Sequence, residues 1–189
     1  MKFANVSIKK QSSEEECLAI VNTMDKSIVK MKDVYEVLKK DCPKDMISFI
    51  EGFDSSLRLS ITEVLQTGLS SIPFEDVQFL SPIPYPRRNV FCLGKNYVDH
   101  ANEIQSIPGG GNNLPQNPIY FTKIAYPSIG PEATILNHKD LTEEIDYEVE
   151  LAVIIKKQGT NISINLPRPT KPYAKKPRQA MSAKATVML

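Results

Sequence analysis

The chain has 189 residues, 41% of them hydrophobic, with 23 Lys/Arg against 22 Asp/Glu and a formal net charge of +1. That composition is ordinary for a globular chain, and its apolar runs are far too short to span a bilayer. The near-zero charge hides an asymmetry: residues 1–155 hold 15 Lys/Arg and all 22 acids, whereas residues 156–189 hold 8 Lys/Arg and no acid.

The N-terminus, Met1-Lys-Phe-Ala-Asn-Val-Ser-Ile-Lys-Lys10, lacks an apolar core of signal-peptide length, so a cytoplasmic location is expected rather than export. Ser13-Glu14-Glu15-Glu16 matches a capping box, and Leu18, Ile20 and Val21 then supply a helical apolar stripe, predicting a first helix. Further short helices are predicted over Met31–Leu38 and Asp45–Phe53, the second ended by Gly52, and another over Ser60–Leu65. Met24, Met31 and Met46 read as core fillers. Residues 1–80 therefore form a small N-terminal domain. Ser81-Pro-Ile-Pro-Tyr-Pro86, with Arg87 and Arg88, is a Pro-stiffened linker over residues 81–88. Cys17, Cys42 and Cys92 are odd in number and form no Cys-x-x-Cys pair, as expected of reduced, packing thiols.

The pattern then becomes β-rich. Asn89-Val-Phe-Cys-Leu-Gly94 reads as a buried strand and Ile119-Tyr-Phe-Thr122 as a second, ending at Lys123. Between them, Lys95 to Glu103 is polar and helix-permissive. His100 and Glu103, three apart, share one side of a helical turn. A carboxylate on one imidazole nitrogen fixes the tautomer and leaves the other free as a base. The same spacing also describes a plain surface His–Glu contact. His138, in Leu136-Asn-His-Lys-Asp140, reads as an exposed turn residue. The glycine-rich stretch over residues 108–115 lacks the Gly-Lys-Ser/Thr and following helix of a phosphate loop.

Glu144-Ile-Asp-Tyr-Glu-Val-Glu-Leu-Ala-Val-Ile-Ile155 reads as a further buried strand. Its Glu148 and Glu150 stand two apart and therefore face the same way, with Val149 opposite. Two like charges on a buried face are costly unless a cation neutralises them, and an oxygen-only pair suits a hard ion. A strand edge with both Glu residues in solvent fits the spacing equally. From Asn165 the chain carries Pro167, Pro169, Pro172 and Pro177 among basic residues and is predicted to be disordered. Tyr173 is its single aromatic, too few for a base-stacking platform, so neither nucleic acid nor membrane is an expected partner.

Four motifs in order resemble the fumarylacetoacetate hydrolase family: Arg88-Asn-Val-Phe-Cys-Leu-Gly-Lys-Asn-Tyr-Val-Asp-His-Ala-Asn-Glu103, Pro118-Ile-Tyr-Phe-Thr-Lys123, Ser128-Ile-Gly-Pro131 and Ile145-Asp-Tyr-Glu-Val-Glu-Leu-Ala-Val-Ile-Ile155. The resemblance implies an α+β chain, a small N-terminal domain followed by the first part of a mixed β-roll over residues 89–163, with residues 164–189 as a basic tail. It implies a Mg²⁺- or Mn²⁺-dependent enzyme, with Ca²⁺ as another choice, held by Glu148 and Glu150. His100 with Glu103 would be catalytic, and Lys95 or Lys123 would meet a substrate carboxylate. The implied reaction is cleavage of a carbon–carbon bond in a small 1,3-diketo or 2-oxo acid, or decarboxylation or isomerisation of one, in a protein that is usually a homodimer.

The sequence departs from the family after Ser163. Members continue through a segment such as Gly-Tyr-Thr-Asn-Asp-Val-Ser-Ala-Arg-Asp, which supplies a third carboxylate ligand. Here the chain turns to Asn165-Leu-Pro-Arg-Pro169, and no Asp or Glu follows Glu150. This departure is read as a truncation that impairs the enzyme. It keeps open a second reading, a non-catalytic remnant acting as a binding or dimerisation module.

Overall fold

The computed structural model describes residues 1–9, 13–97, 117–145 and 148–160. The chain forms two compact units, one of Met1–Pro82 with the chain from Ile129 onward, the other of Ile83–Ser128. The architecture is α+β.

The first unit starts with β1 (Phe3–Lys9), β2 (Glu14–Asn22) and β3 (Ser27–Lys30), an antiparallel meander in which Phe3 pairs with Ile20 and Lys9 with Glu14. Three helices follow: α1 (Met31–Val37), α2 (Met46–Gly52) and α3 (Ser55–Leu65). Two very short strands close the unit, β4 (Ile72–Pro73) and β5 (Val77–Phe79), separated by a 3₁₀ turn over Phe74–Asp76. Strand order is β4-β3-β2-β1-β5.

That order forces the sheet to curl. A flat five-stranded sheet would hold its edge strands about 19 Å apart, at about 4.8 Å per strand. Yet β4 and β5, on opposite edges, are joined through Phe74–Asp76 alone, and four extended residue steps reach at most about 14 Å. The inner face is therefore enclosed. Val6, Ile8, Ala19, Ile28 and Val77 form its core, flanked by Ala4, Cys17, Val21, Ile72, Phe74 and Phe79, with the rings of Phe74 and Phe79 edge-on at 5.2 Å. The outer face carries Phe3, Leu18 and Ile20. Phe3 packs 4.6 Å from Phe49 and 5.3 Å from Phe53, both from the α2 end, while α1 runs along β2 and β3.

The predicted helices over Met31–Leu38 and Asp45–Phe53 are present as α1 and α2. Asp45 caps α2 by accepting from Ser48 N at 2.7 Å. The third helix begins five residues earlier than predicted, at Ser55, because Asp54 accepts from Leu57 N at 2.7 Å and supplies a cap. Leu57, Ile61 and Val64 then make its buried stripe. The first predicted helix is wrong. Glu14–Asn22 is strand β2, because Cys17-Leu-Ala-Ile-Val21 is apolar at every position and satisfies either periodicity. Inside the curled sheet both faces are buried, so seven ladder pairs with β1 outweigh a local capping signal. Glu14 instead accepts from Ser7 Oγ at 3.3 Å, and Glu15 pairs with Lys30 at 3.4 Å.

Asn5, midway along β1, fixes the chain where it leaves this sheet. Its carbonyl accepts from Leu80 N at 2.9 Å, and its side-chain Nδ2 donates to the carbonyls of Ser81 and Pro82, both at 2.9 Å. In the second unit, Ser128 N donates to Pro84 O at 2.9 Å and Ser128 Oγ to Ile83 O at 2.6 Å. The rings of Tyr85 and Tyr126 lie 5.1 Å apart beside them. Strands β6 (Val90–Gly94) and β7 (Ile119–Lys123) form an antiparallel pair with Val90 opposite Lys123 and Gly94 opposite Ile119. Both strands fall where predicted, but the first is not buried: Phe91 is 73% exposed and Leu93 43%. A two-stranded ribbon can cover neither of its own faces.

No helix among the described residues is long and apolar enough to cross a membrane. The basic tail, the loop over residues 108–115, His100 and Glu103 lie outside the described residues.

Two outcomes are expected. Burial, and then the Glu15 carboxylate, push the Cys17 thiol above its ordinary value of 9.0, and burial does the same to Cys42 and Tyr35. A raised value means the folded form holds its proton longer, so this stabilisation is complete below the ordinary thiol value and lost as pH rises above it. The thermal midpoint should therefore fall as the pH is raised above 9.0, less steeply in Cys17→Ala; a midpoint independent of pH there would contradict it. The ribbon should bind a hydrophobic dye, and Phe91→Ser with Tyr120→Ser should remove most of that signal. Dye fluorescence unchanged by the two substitutions would place the apolar surface elsewhere.

Candidate metal and oxo-acid site

All four sequence motifs contribute described residues. In the ribbon, Lys95 follows directly on Gly94, at the end of β6 where Gly94 faces Ile119. It is half-buried and adopts a left-handed backbone, with φ of 52°. Lys123 closes β7 at the other end, opposite Val90, with its Nζ 5.7 Å from the centroid of the Phe121 ring. At about 3.4 Å per residue the two backbones stand roughly 17 Å apart along the ribbon. The structure does not bring the two candidate lysines together.

Glu148 and Glu150 lie in the first unit, on an irregular segment over residues 148–160 in which no described residue belongs to a strand. This departs from the predicted buried strand. Glu148, Val149 and Glu150 are all exposed, as are Leu151 and Val153, with Ile154 half-buried. An apolar run such as Leu151 to Ile155 becomes a strand only when a neighbouring edge accepts its backbone hydrogen bonds, and no described strand pairs with it. The pair nevertheless keeps its alternate spacing around Val149. Two carboxylates there offer oxygen donors of the hardness that Mg²⁺, Mn²⁺ or Ca²⁺ takes. Two donors are a partial shell: among the described residues there is no group of three or more His, Cys, Asp or Glu able to hold a metal.

His138 is an exposed turn residue, as predicted. Its φ is 45°, and its carbonyl accepts from Leu141 N at 2.8 Å and Thr142 N at 3.1 Å. Sequence reasoning gave no role to Asn5 or to Gly130 as single residues. Gly130 sits so close to Phe79–Ser81 that a Cβ there would lie 3.1 Å from the Phe79 carbonyl oxygen and 3.3 Å from Ser81 N. The one available signal was its place in Ser128-Ile-Gly-Pro131; nothing in the sequence marks Asn5.

Residues 89–168 match the family described as fumarylacetoacetate (FAA) hydrolase, C-terminal. The stretch takes in the positions of Lys95, His100, Glu103, Lys123, Glu148 and Glu150. The chain is also similar to three curated proteins. The oxaloacetate tautomerase YisK of Bacillus subtilis is 42% identical over 88 residues, 47% of this chain and 28% of the relative. The mitochondrial oxaloacetate tautomerase FAHD2A of Bos taurus is 38% identical over 120 residues, 64% of this chain and 35% of the relative. An uncharacterized protein of Staphylococcus aureus is 38% identical over 128 residues, 64% of this chain and 40% of the relative. The chain thus spans well under half of the relatives it matches.

The exposed pair should bind Mn²⁺ weakly, since fewer charged ligands compensate ion dehydration less. Calorimetric Mn²⁺ heat should vanish in Glu148→Ala and in Glu150→Ala and persist in Glu132→Ala. Heat that survives both of the first two changes would remove Glu148 and Glu150 as ligands.

Proposed function

We propose that this chain, whose residues 89–168 match the fumarylacetoacetate hydrolase family, is part of a divalent-metal-dependent enzyme acting on small oxo acids through an enolate. The observation that carries the reading is that one matched stretch contains His100, Glu103, Glu148 and Glu150 in order. The Bacillus subtilis and Bos taurus relatives are named oxaloacetate tautomerases, which favours keto–enol interconversion of an oxaloacetate-like acid. Carbon–carbon cleavage of acylpyruvates or other 1,3-diketo acids, and decarboxylation, are the related reactions that pass through the same intermediate.

Glu148 and Glu150 would hold the cation, Mg²⁺ or Mn²⁺ with Ca²⁺ as the alternative. When bound, the ion draws electrons from the keto oxygen and stabilises the enolate. His100, oriented by Glu103, takes the proton. In tautomerisation it comes from the carbon beside the keto group, and in hydrolytic cleavage from the attacking water. Lys95 or Lys123, which stand at opposite ends of the ribbon, would face the substrate carboxylate. The intact protein is expected to be a homodimer without nucleic-acid or membrane partners. A reducing, cytoplasmic setting goes with the free thiols of Cys17, Cys42 and Cys92.

Neither carboxylate has a described third partner acid, and no Asp or Glu follows Glu150. The 189-residue chain alone should therefore turn over oxaloacetate or acylpyruvate poorly, because a misplaced ion and base can each cost about a hundredfold. A chimera that continues after Ser163 with the Bacillus subtilis relative's sequence should gain Mn²⁺-dependent turnover, and His100→Ala in it should abolish most of that rate. An active chimera indifferent to loss of His100 would sink the assignment of the base.

A further inference from the structure

Apart from the metal and oxo-acid residues, we infer that the cleft between α1, α2 and α3 binds a free α-amino acid with a small aliphatic side chain. The cleft has a volume of about 350 Å³, within the range of small-molecule sites. Its floor is Tyr35, in the last turn of α1, with Leu57 from the first turn of α3, and both are buried. Lys40, Asp41, Ser48 and Asp54 stand around that floor. The end of α1 sets the arrangement. Lys39 takes a left-handed backbone with φ of 52°, and Lys39 N donates to Glu36 O and Lys40 N to Tyr35 O, both at 3.0 Å. That pair of bonds is a Schellman closure, which turns the chain back so that Lys40 and Asp41 line the same cleft as Tyr35.

The Tyr35 hydroxyl separates this cleft from a plain gap between helices. Its residue is 6% exposed, and among the described residues every enclosed side-chain polar atom has a hydrogen-bond partner. The Tyr35 hydroxyl has none there, so it reaches the surface, and the surface that Tyr35 lines is the cleft. Burial holds the hydroxyl protonated, above its ordinary value of 10.0, so at neutral pH it is a donor. Lys40 and Asp41 have no ion-pair partner among the described residues. Asp54 accepts from Leu57 N through Oδ1, which leaves Oδ2 to accept from a ligand. This set selects by charge. A bare carboxylate would meet Lys40 and Tyr35 but sit beside two aspartates, and a bare amine would leave the lysine and the hydroxyl unmet. An α-amino acid satisfies both sides: its carboxylate accepts from Lys40 Nζ and the Tyr35 hydroxyl, and its ammonium donates to Asp41 and Asp54. Leu57 offers the apolar contact for its side chain. Neither His100, Glu148 nor Glu150 enters this argument, so it stands or falls apart from the reading of those residues.

The test is a ligand-observed NMR titration of the 189-residue chain with L-valine, run beside isovalerate, which lacks the amine, and isobutylamine, which lacks the carboxylate. Valine should bind in the millimolar range. Each truncated molecule should bind at least about tenfold more weakly, since each forfeits one set of charge-assisted bonds. Tyr35→Phe keeps the ring, so it should retain the parent's thermal melt while weakening valine binding by about tenfold. Lys40→Gln should weaken it at least as much. Lys44→Gln, at an exposed lysine of the same loop outside the cleft, should leave it unchanged. Isovalerate or isobutylamine bound as tightly as valine would overturn the amino acid as ligand. No valine binding at tens of millimolar, or binding indifferent to both Tyr35→Phe and Lys40→Gln, would overturn the site.

Discussion

Three residues, Phe74–Asp76, set the shape of the first unit. They join β4 to β5 across what would otherwise be the full width of a five-stranded sheet, so the sheet has to curl to bring those edges within about 14 Å. Curling encloses Val6, Ile8, Ala19, Ile28 and Val77 and turns β2 into a strand buried on both faces. Pairing of β5 with β1, with Phe79 opposite Val6, puts the exit of β5 beside Asn5, which reaches three successive residues of the departing chain. With edge strands of only two and three residues, little unpaired backbone is left exposed.

The ribbon of the second unit answers to the opposite constraint. Its residues are apolar on both faces, with Phe91 and Leu93 alternating with Val90 and Cys92, as in strands meant to lie inside a larger sheet. The run from Leu151 to Ile155 has the same character. Such strands gain their stability from neighbours on either side, at roughly 25 cal/mol for each Å² of apolar surface covered. Chemistry and stability are therefore linked here: the residues proposed to bind ion and substrate sit at the ends of, or beside, segments whose apolar faces call for cover.

Where local chemistry and tertiary structure agreed, the fold was legible in the sequence. The helices around Val34, Phe49 and Ile61 show period-3.6 burial, and the ribbon strands end at Gly94 and Lys123 as their composition suggests. Ser13–Val21 failed because a uniformly apolar run carries no period, and the capping box then decided wrongly. The start of α3 was missed because Asp54, an effective cap, precedes the first apolar position by three residues. Curling of the sheet could not be read at all, since it depends on which edges β4 and β5 choose. For the site, the carboxylate pair was visible as an anomaly in an apolar stretch, whereas the contacts of Asn5 and Gly130 with the Phe79–Pro82 backbone leave no pattern in the sequence.

The common element of tautomerisation, decarboxylation and carbon–carbon cleavage is an enolate that a cation would stabilise, formed by loss of a proton in the first, of carbon dioxide in the second and by breaking the carbon–carbon bond in the third. The most direct measurement is the rate at which solvent deuterium enters the carbon beside the keto group of oxaloacetate, followed by proton NMR with the chimera and Mn²⁺. The account predicts catalysed exchange that is lost when His100 is replaced by Ala and when Glu148 and Glu150 are replaced together. Turnover of the oxo acid with no catalysed exchange, or exchange that persists in those variants, would contradict it.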